Sequence, residues 1–348
     1  MDRRAGRVPL VNLDFTEDQR ALRDMVREFF EKESPAAVVR AAEPLGFDTG
    51  LWRRAAGLGL AAIAVPEHRG GGGGGLVELA IATELLGESL APVPLIEAAV
   101  AARLGASLAG PAVLEPLVTG DQLGTLALRP VTGDVARLVP AGAVADLAVV
   151  LRDDELLLVR RPDDVAPAVP NLGAMPLADW RVPADAEVLA CGTAAVAAHR
   201  RAVAHWQALT GTALVGLAAK ALEIGIEYVR QRRAFGVLIA SFQTIQHRLA
   251  DNATALEGAR VLAYQAAWAQ DVELATADTL ASMSFLFAGE TAFKTAAESL
   301  HFHGGYGYTL EYDIQLYFRR AKAWPLVAGD RRTGYAALAR RLYETKEG

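Results

Sequence analysis

At 348 residues, with 52% hydrophobic and 22% charged residues, the chain has the composition of an ordinary globular protein of roughly two domains rather than a disordered one. A formal net charge of -6 and a pI near 5.6 argue against a nucleic-acid or anionic-membrane surface, although the local cluster Arg230, Arg232 and Arg233 can still hold an anion. The single cysteine, Cys191, excludes an intrachain disulfide and a multi-cysteine metal site and fits a reducing cytoplasm.

In chain order, Arg3, Arg4 and Arg7 precede an apolar run broken at Asn12 and Asp14, so no secretory signal is expected. Thr16 followed by Gln19 is a capping box, and Phe15, Leu22, Met25, Val26, Phe29 and Phe30 recur at helical spacing up to Pro35. Shorter helices are predicted around Gly50 to Leu58 and from Leu76 to Leu90. The glycine run Gly70 to Gly75 lies between them. Such a run before a helix could cradle a phosphate, but it lacks a following Lys-Ser/Thr and follows Pro66-Glu67 rather than an apolar strand, so a tight connection is the simpler reading. Glu97 and Arg103 interrupt the apolar region from Pro94 to Leu108, and no membrane span is expected.

From Gly120 to Val188 short runs (Leu123 to Leu128, Leu147 to Leu151, Glu155 to Arg160) separated by Pro, Gly and Asp predict a small β domain. Helix then returns over Thr193 to Arg232, Phe242 to Ala269 and Ala275 to His303, with apolar faces such as Leu217, Ala221, Ile224 and Tyr228. These alanine-rich helices suit an antiparallel bundle. The chain therefore reads as mainly α with a small β domain: an N-terminal helical domain (1–118), a shortened middle β domain (119–190) and a C-terminal helical bundle (191–348).

Two corners of the bundle carry candidate chemistry. At the first, EYVRQRRAFGVLIASFQTIQ from Glu227 to Gln246 brings a guanidinium (Arg232), an aromatic face (Phe235), a glycine (Gly236) and a side-chain amide (Gln243, after Phe242) to one turn. Arg232 offers a planar fork to phosphate oxygens, and the glycine permits a tight turn or a close ligand. The plain alternative is an interhelical corner with a surface arginine. At the second, His301-Phe302-His303-Gly304-Gly305-Tyr306-Gly307-Tyr308 ends a long helix and leaves amides exposed, as a binding loop or simply as a glycine C-cap. His301 and His303 are two residues apart on a helix and diverge, and no acidic cluster joins them, so no metal is expected.

Together the corners, with HRLAD at His247 to Asp251 and HGGYGYTLEY at His303 to Tyr312, resemble the acyl-CoA dehydrogenase family of flavoproteins. The resemblance covers nearly the whole chain, since FTEDQRALRDMVREFF, LWRRAAGLGLAAIAVPE and ELLGESLAPVP are similar to that family's N-terminal domain. It implies an N-terminal helical domain, a middle β domain and a C-terminal four-helix bundle. It also implies that Arg232, Phe235, Gln243, His301, Gly304 and Gly305 contact the ADP half of an FAD belonging to a neighbouring subunit, with His301 standing where the family usually has glutamine.

The family's reaction, α,β-dehydrogenation of an acyl-CoA, needs a carboxylate base. Its usual position holds Ala328, in Val327-Ala328-Gly329, and the alternative position on the first bundle helix holds Trp206, with Gln207 where an arginine is expected. Asp330 and Glu311 are weak substitutes. The family's Thr-Glu-Pro and Gly-Ser-Asp are reduced to Leu128-Arg129-Pro130 with no Gly-Ser-Asp following. The resemblance thus implies an oxidoreductase subunit without catalytic residues of its own, completing the FAD site of a homologous catalytic chain in a hetero-tetramer or other oligomer. A competent homo-oligomer with an unrecognised base such as Asp330, and a flavin-free scaffold on the same fold, remain open, as do the acyl group, the electron acceptor and the partner's identity.

Overall fold

A computed structural model describes residues 14–161 and 167–343; Arg3, Arg4, Arg7 and Asn12 lie outside them. The first helix, α1 (Glu17–Glu33), carries the expected capping box, in which Thr16 accepts from the amide of Gln19 and the Gln19 side chain accepts from the amide of Thr16. It ends at Ser34, just before Pro35. Five helices follow: α2 (Ala36–Ala41), α3 (Thr49–Gly57), α4 (Leu76–Ser89), α5 (Leu95–Leu108) and α6 (Pro111–Thr119). In α4 and α5 most positions are buried, so they lack the one-sided periodicity of a surface helix.

The glycine run is a tight connection. The amides of Gly72, Gly73 and Gly74 return to the carbonyls of Ala62, Val65 and Ile63. The first amides of α4 are taken by carboxylates of the protein itself: Gly75 donates to Glu78 at 2.7 Å, and Leu76 and Val77 donate to Asp271 at 2.7 and 3.1 Å. Asp271 thus caps a helix that begins 195 residues earlier and joins the N-terminal helices to the bundle. Replacing it with alanine removes a cap of the kind that contributes about 0.5–2 kcal/mol, and urea unfolding of Asp271→Ala is expected to show a loss in that range. A midpoint equal to wild type would mean that water replaces the cap without cost.

Six strands follow: β1 (Gly124–Leu126), β2 (Val135–Val139), β3 (Leu147–Arg152), β4 (Glu155–Arg160), β5 (Ala178–Arg181) and β6 (Glu187–Cys191). They form a four-stranded sheet of order β1-β3-β4-β6, with β1 parallel to β3 and the other pairs antiparallel, and a separate β2-β5 pair. The predicted run at Leu123 to Leu128 shortens to Gly124–Leu126, and β2, β5 and β6 were not anticipated. The Leu147–Leu151 stretch is apolar throughout because it is buried on both faces.

The long helix α7 (Gly192–Gln231) is roughly 60 Å long at 1.5 Å per residue. It is long and apolar enough to cross a membrane, contrary to the expectation that no such stretch exists, but 72% of its most apolar window is buried inside the protein. It is a core helix. Gly87 of α4 and Gly216 of α7 let the two cross closely: a Cβ on either would lie 1.8 Å from a carbonyl oxygen of the other helix. Then come a short hairpin, β7 (Arg233–Ala234) and β8 (Val237–Leu238), and the helices α8 (Gln243–Asp271), α9 (Ala277–Phe302), α10 (Ile314–Ala323) and α11 (Arg331–Tyr343). The bundle is built mainly on α7, α8 and α9, with α4 of the N-terminal part packed along α7 and α10 along α9.

Candidate functional site

The two corners meet at one end of the bundle. Val229 of α7, Ile239 after the hairpin and Phe302 of α9 share a small core with Tyr228 and Phe242 around it. The Tyr228 ring stacks on His303 at 3.9 Å. His303 is buried and hydrogen-bonded to the Ser299 carbonyl at 2.7 Å, whereas His301 is exposed. The pair therefore diverges as expected, with His303 serving packing.

The connection read from sequence as a simple apolar link is a two-residue hairpin. Phe235 and Gly236, at φ +53° and +82°, fit the left-handed central positions of a type I′ turn. Asparagine is the usual first residue there, and a bulky side chain in this region costs about 1 kcal/mol. Phe235 is nevertheless held in it with its ring 96% exposed.

Arg232, Gln243, His301, Gly304 and Gly305 are likewise exposed. Among the described residues no side chain pairs with the Arg232 guanidinium. Gly304 needs its left-handed φ of +63°, but a Cβ on Gly305 would meet nothing within 4 Å, so packing does not require that glycine. The arrangement is an unpaired guanidinium, a presented aromatic ring and uncovered backbone on one surface. Groups of these kinds can take up a phosphate-bearing, flat ligand.

The positions expected to carry the base lie elsewhere. Ala328 is half-buried at the end of a 3₁₀ turn, Trp324–Ala328, and with Gln207, Asp330 and Arg129 it lines a cavity of about 410 Å³. Gln207 accepts from Ser282 at 2.9 Å. Asp330 is exposed and accepts from the amide of Arg332 at 3.0 Å, which makes it the N-cap of α11. Glu311 is exposed beyond α9.

Trp206 is 3% exposed and faces a second, narrower cavity of about 90 Å³, which Val327 and Trp324 also line. Its indole donates to Glu97 of α5 at 2.9 Å. Glu97 was read from sequence only as a charge interrupting an apolar stretch. Burial pushes its carboxyl above the ordinary range, partly offset by the bond from Trp206. Glu97 keeps some accessible surface because it lines the cavity. A glutamate in the first turn of a largely apolar helix is the signal that could have marked it.

Family models describe the same chain. The acyl-CoA dehydrogenase N-terminal domain matches residues 16–110 and the C-terminal domain matches residues 193–343. Acyl-CoA dehydrogenase IpdE2 of Mycolicibacterium smegmatis is 31% identical over 88% of this chain and 93% of its own length. Among solved structures, a Tcur3481-Tcur3483 steroid ACAD variant superposes with a TM-score of 0.83 at 27% identity, covering 95% of this chain and 99% of that one. The ChsE4-ChsE5 complex from Mycobacterium tuberculosis superposes with a TM-score of 0.86 at 25% identity, over 96% and 99%. With its helical N-terminal part, small sheet region and C-terminal bundle all matched, this chain belongs to the acyl-CoA dehydrogenase family.

Proposed function

We propose that this chain is the non-catalytic subunit of a hetero-oligomeric, FAD-dependent acyl-CoA dehydrogenase, in which it completes the cofactor site of a homologous catalytic chain. The observation that carries the reading is the contrast between its two regions. The corner built from Arg232, Phe235, Gln243, His301, Gly304 and Gly305 is exposed and open, whereas the positions for a base hold Ala328 and a buried Trp206. Arg232 would hold the pyrophosphate, Phe235 and the glycines the flat adenosine half, and Gln243 and His301 the remaining polar atoms. When bound, FAD accepts the hydride from the β-carbon of the acyl group. Two of the similar solved structures carry paired names, ChsE4-ChsE5 and Tcur3481-Tcur3483, which supports a partner that is a homologous, different chain. Exposed Phe235, Val261, Phe287 and Leu310 offer apolar surface for such a contact.

Expressing the chain alone and together with a catalytic homologue tests the proposal through the visible absorbance of bound flavin. The chain alone is expected to be colourless and the purified complex yellow. A complex that assembles without flavin would favour a scaffold, and flavin retained in full by the chain alone would favour a competent homo-oligomer. Glu97 is the observation on the side of that second reading, because it places a carboxylate beside Trp206 in the cavity while Asp330 is engaged as a helix cap.

A further inference from the structure

A cavity of about 350 Å³ lies between the C-terminal half of α5 and the first turns of α7, and it shares no lining residue with the cavities beside Trp206 and Ala328. Along α7, Ala194, Ala198, Arg201 and His205 line it, a spacing that puts all four on one helical face. The alanines leave the space open, and the arginine and histidine enter it. From α5 come Arg103 and Ser107. No carboxylate is among the lining residues. Arg103 reaches the Ala64 carbonyl at 3.4 Å and Asp271 at 3.6 Å, and Arg201 reaches Glu273 at 3.6 Å. Both ion pairs are longer than a hydrogen bond. Asp271 is already committed to the amides of Leu76 and Val77, and Glu273 is exposed. His205 is 7% exposed. Among the described residues its ring nitrogens have no hydrogen-bond partner, yet neither is sealed from solvent. A buried polar ring left open toward a cavity calls for a partner there.

We infer that this cavity binds a phosphate group, as the free ion or as the end of a small phosphate monoester, held by the Arg103 and Arg201 guanidiniums from two helices and by a ring nitrogen of His205. The two arginines are close enough to repel: burial pushes Arg103 below its ordinary range, with Asp271 opposing and Arg201 adding to the effect. A bound anion relieves that repulsion, whereas a cation would increase it. Burial, and after it the charges of Arg103 and Arg201, push the His205 imidazole down to about 3. It is therefore neutral at pH 7 and can donate through one nitrogen. Three donor groups outnumber the two oxygens of a carboxylate and match a tetrahedral anion, for which the guanidinium fork is well shaped. The space exceeds that of a phosphate, which takes up about two to three waters at ~30 Å³ each, so a short organic remainder fits beside it. The site lies roughly 40 Å along α7 from Arg232 at 1.5 Å per residue. The inference is independent of the cofactor corner and of which chain carries catalysis.

Calorimetric titration of the full chain at constant ionic strength tests it, with inorganic phosphate, sulfate, glycerol 3-phosphate and acetate as probes. Phosphate and sulfate are expected to bind saturably and more tightly than acetate. Tighter binding of glycerol 3-phosphate than of phosphate identifies a monoester as the ligand, and equal or weaker binding identifies the free ion. Arg103→Gln and Arg201→Gln should each weaken sulfate binding by about tenfold or more, the loss of a hydrogen bond to a charged group. His205→Leu should weaken it by about tenfold, and His205→Gln, which keeps a donor, should recover most of that. Arg200 is the control: it neighbours Arg201 in sequence but pairs with Asp278 at 3.2 Å, away from the cavity, so Arg200→Gln should leave the affinity within about twofold. Arg232→Ala, which removes the arginine assigned to the cofactor, should do the same. Arg103 also touches Asp271, so the exposed Arg201 provides the independent arm if Arg103→Gln fails to fold. The proposal is overturned by the absence of saturable binding at millimolar anion, by acetate binding as tightly as phosphate, or by equal losses in Arg200→Gln and Arg201→Gln.

Discussion

Purified without a partner, the chain is expected to dehydrogenate acyl-CoA thioesters at a rate at least about 100-fold below that of its complex with a catalytic homologue. The lower bound follows from the 10²- to 10⁴-fold that a positioned general base ordinarily contributes, about 3–5 kcal/mol of barrier. Ala328 has no proton acceptor, and Trp206 fills the alternative position with an indole that is itself a donor, committed to Glu97. Asp330 is exposed and engaged at the start of α11, where solvent screens it. Neither Ala328→Glu nor Trp206→Glu alone is expected to create activity. A carboxylate without an oriented thioester lacks most of the transition-state stabilisation that positioning and oxyanion donors provide. Stopped-flow flavin reduction by a panel of acyl-CoAs, on the chain alone, on each variant and on the complex, makes the comparison. Steady turnover by the chain alone would reject the non-catalytic assignment. If Glu97→Gln then abolished that turnover while Asp330→Asn did not, the base would be the buried carboxylate.

Much of the architecture was legible in the sequence where local signals and tertiary burial agree. The first helix announced itself through Thr16 and Gln19 and stopped before Pro35, because the cap is local chemistry that needs no partner element. The three long helices were likewise visible and shifted by only a residue or two at their ends. What escaped notice is where burial is complete or the element is very short. Helix α5 is buried over most of its length, so its apolar residues show no period, and Glu97 looked like an interruption rather than a carboxylate lining a cavity. Strands β2, β5 and β6 carry charged or small residues whose pairing is set by distant neighbours. The hairpin at Phe235 has two residues in each strand, too few for alternation to register, and its turn puts phenylalanine where asparagine would have signalled it. Motif resemblance supplied the pairing of the two corners, which periodicity could not. The shared core of Val229, Ile239 and Phe302 is the physical reason that they lie together.

Arg232→Ala, made in this chain only, is expected to lower the flavin affinity of the assembled complex by about one to two orders of magnitude. A hydrogen bond to a charged group contributes roughly 1.5–3 kcal/mol, and each 1.4 kcal/mol is a factor of ten in affinity. The structure sharpens the case. Arg232 is the residue at which α7 ends; its amide is tied to the Tyr228 carbonyl, and its own carbonyl accepts from Ile239 across the hairpin. The backbone is thus fixed on both sides, while among the described residues no hydrogen bond or ion pair occupies the side chain. Truncating it removes no hydrogen bond or ion pair among the described residues, so stability should change by less than about 0.5 kcal/mol, as for an ordinary surface position. That separation makes the test decisive, because a loss of cofactor cannot then be attributed to a loosened corner. Arg232→Lys should recover only part of the affinity, since a point charge on a flexible stem cannot reproduce the planar fork. Phe235→Asn provides the control in the opposite direction: it removes the exposed ring and places a residue suited to the left-handed conformation in the turn, so it should leave the fold at least as stable while weakening flavin binding. Titrating apo-complex with FAD, with thermal unfolding of each variant measured alongside, reads both quantities. Unchanged affinity in Arg232→Ala would mean that the guanidinium faces solvent in the assembly, and the cofactor would then have to be placed against another surface of this chain or removed from it altogether.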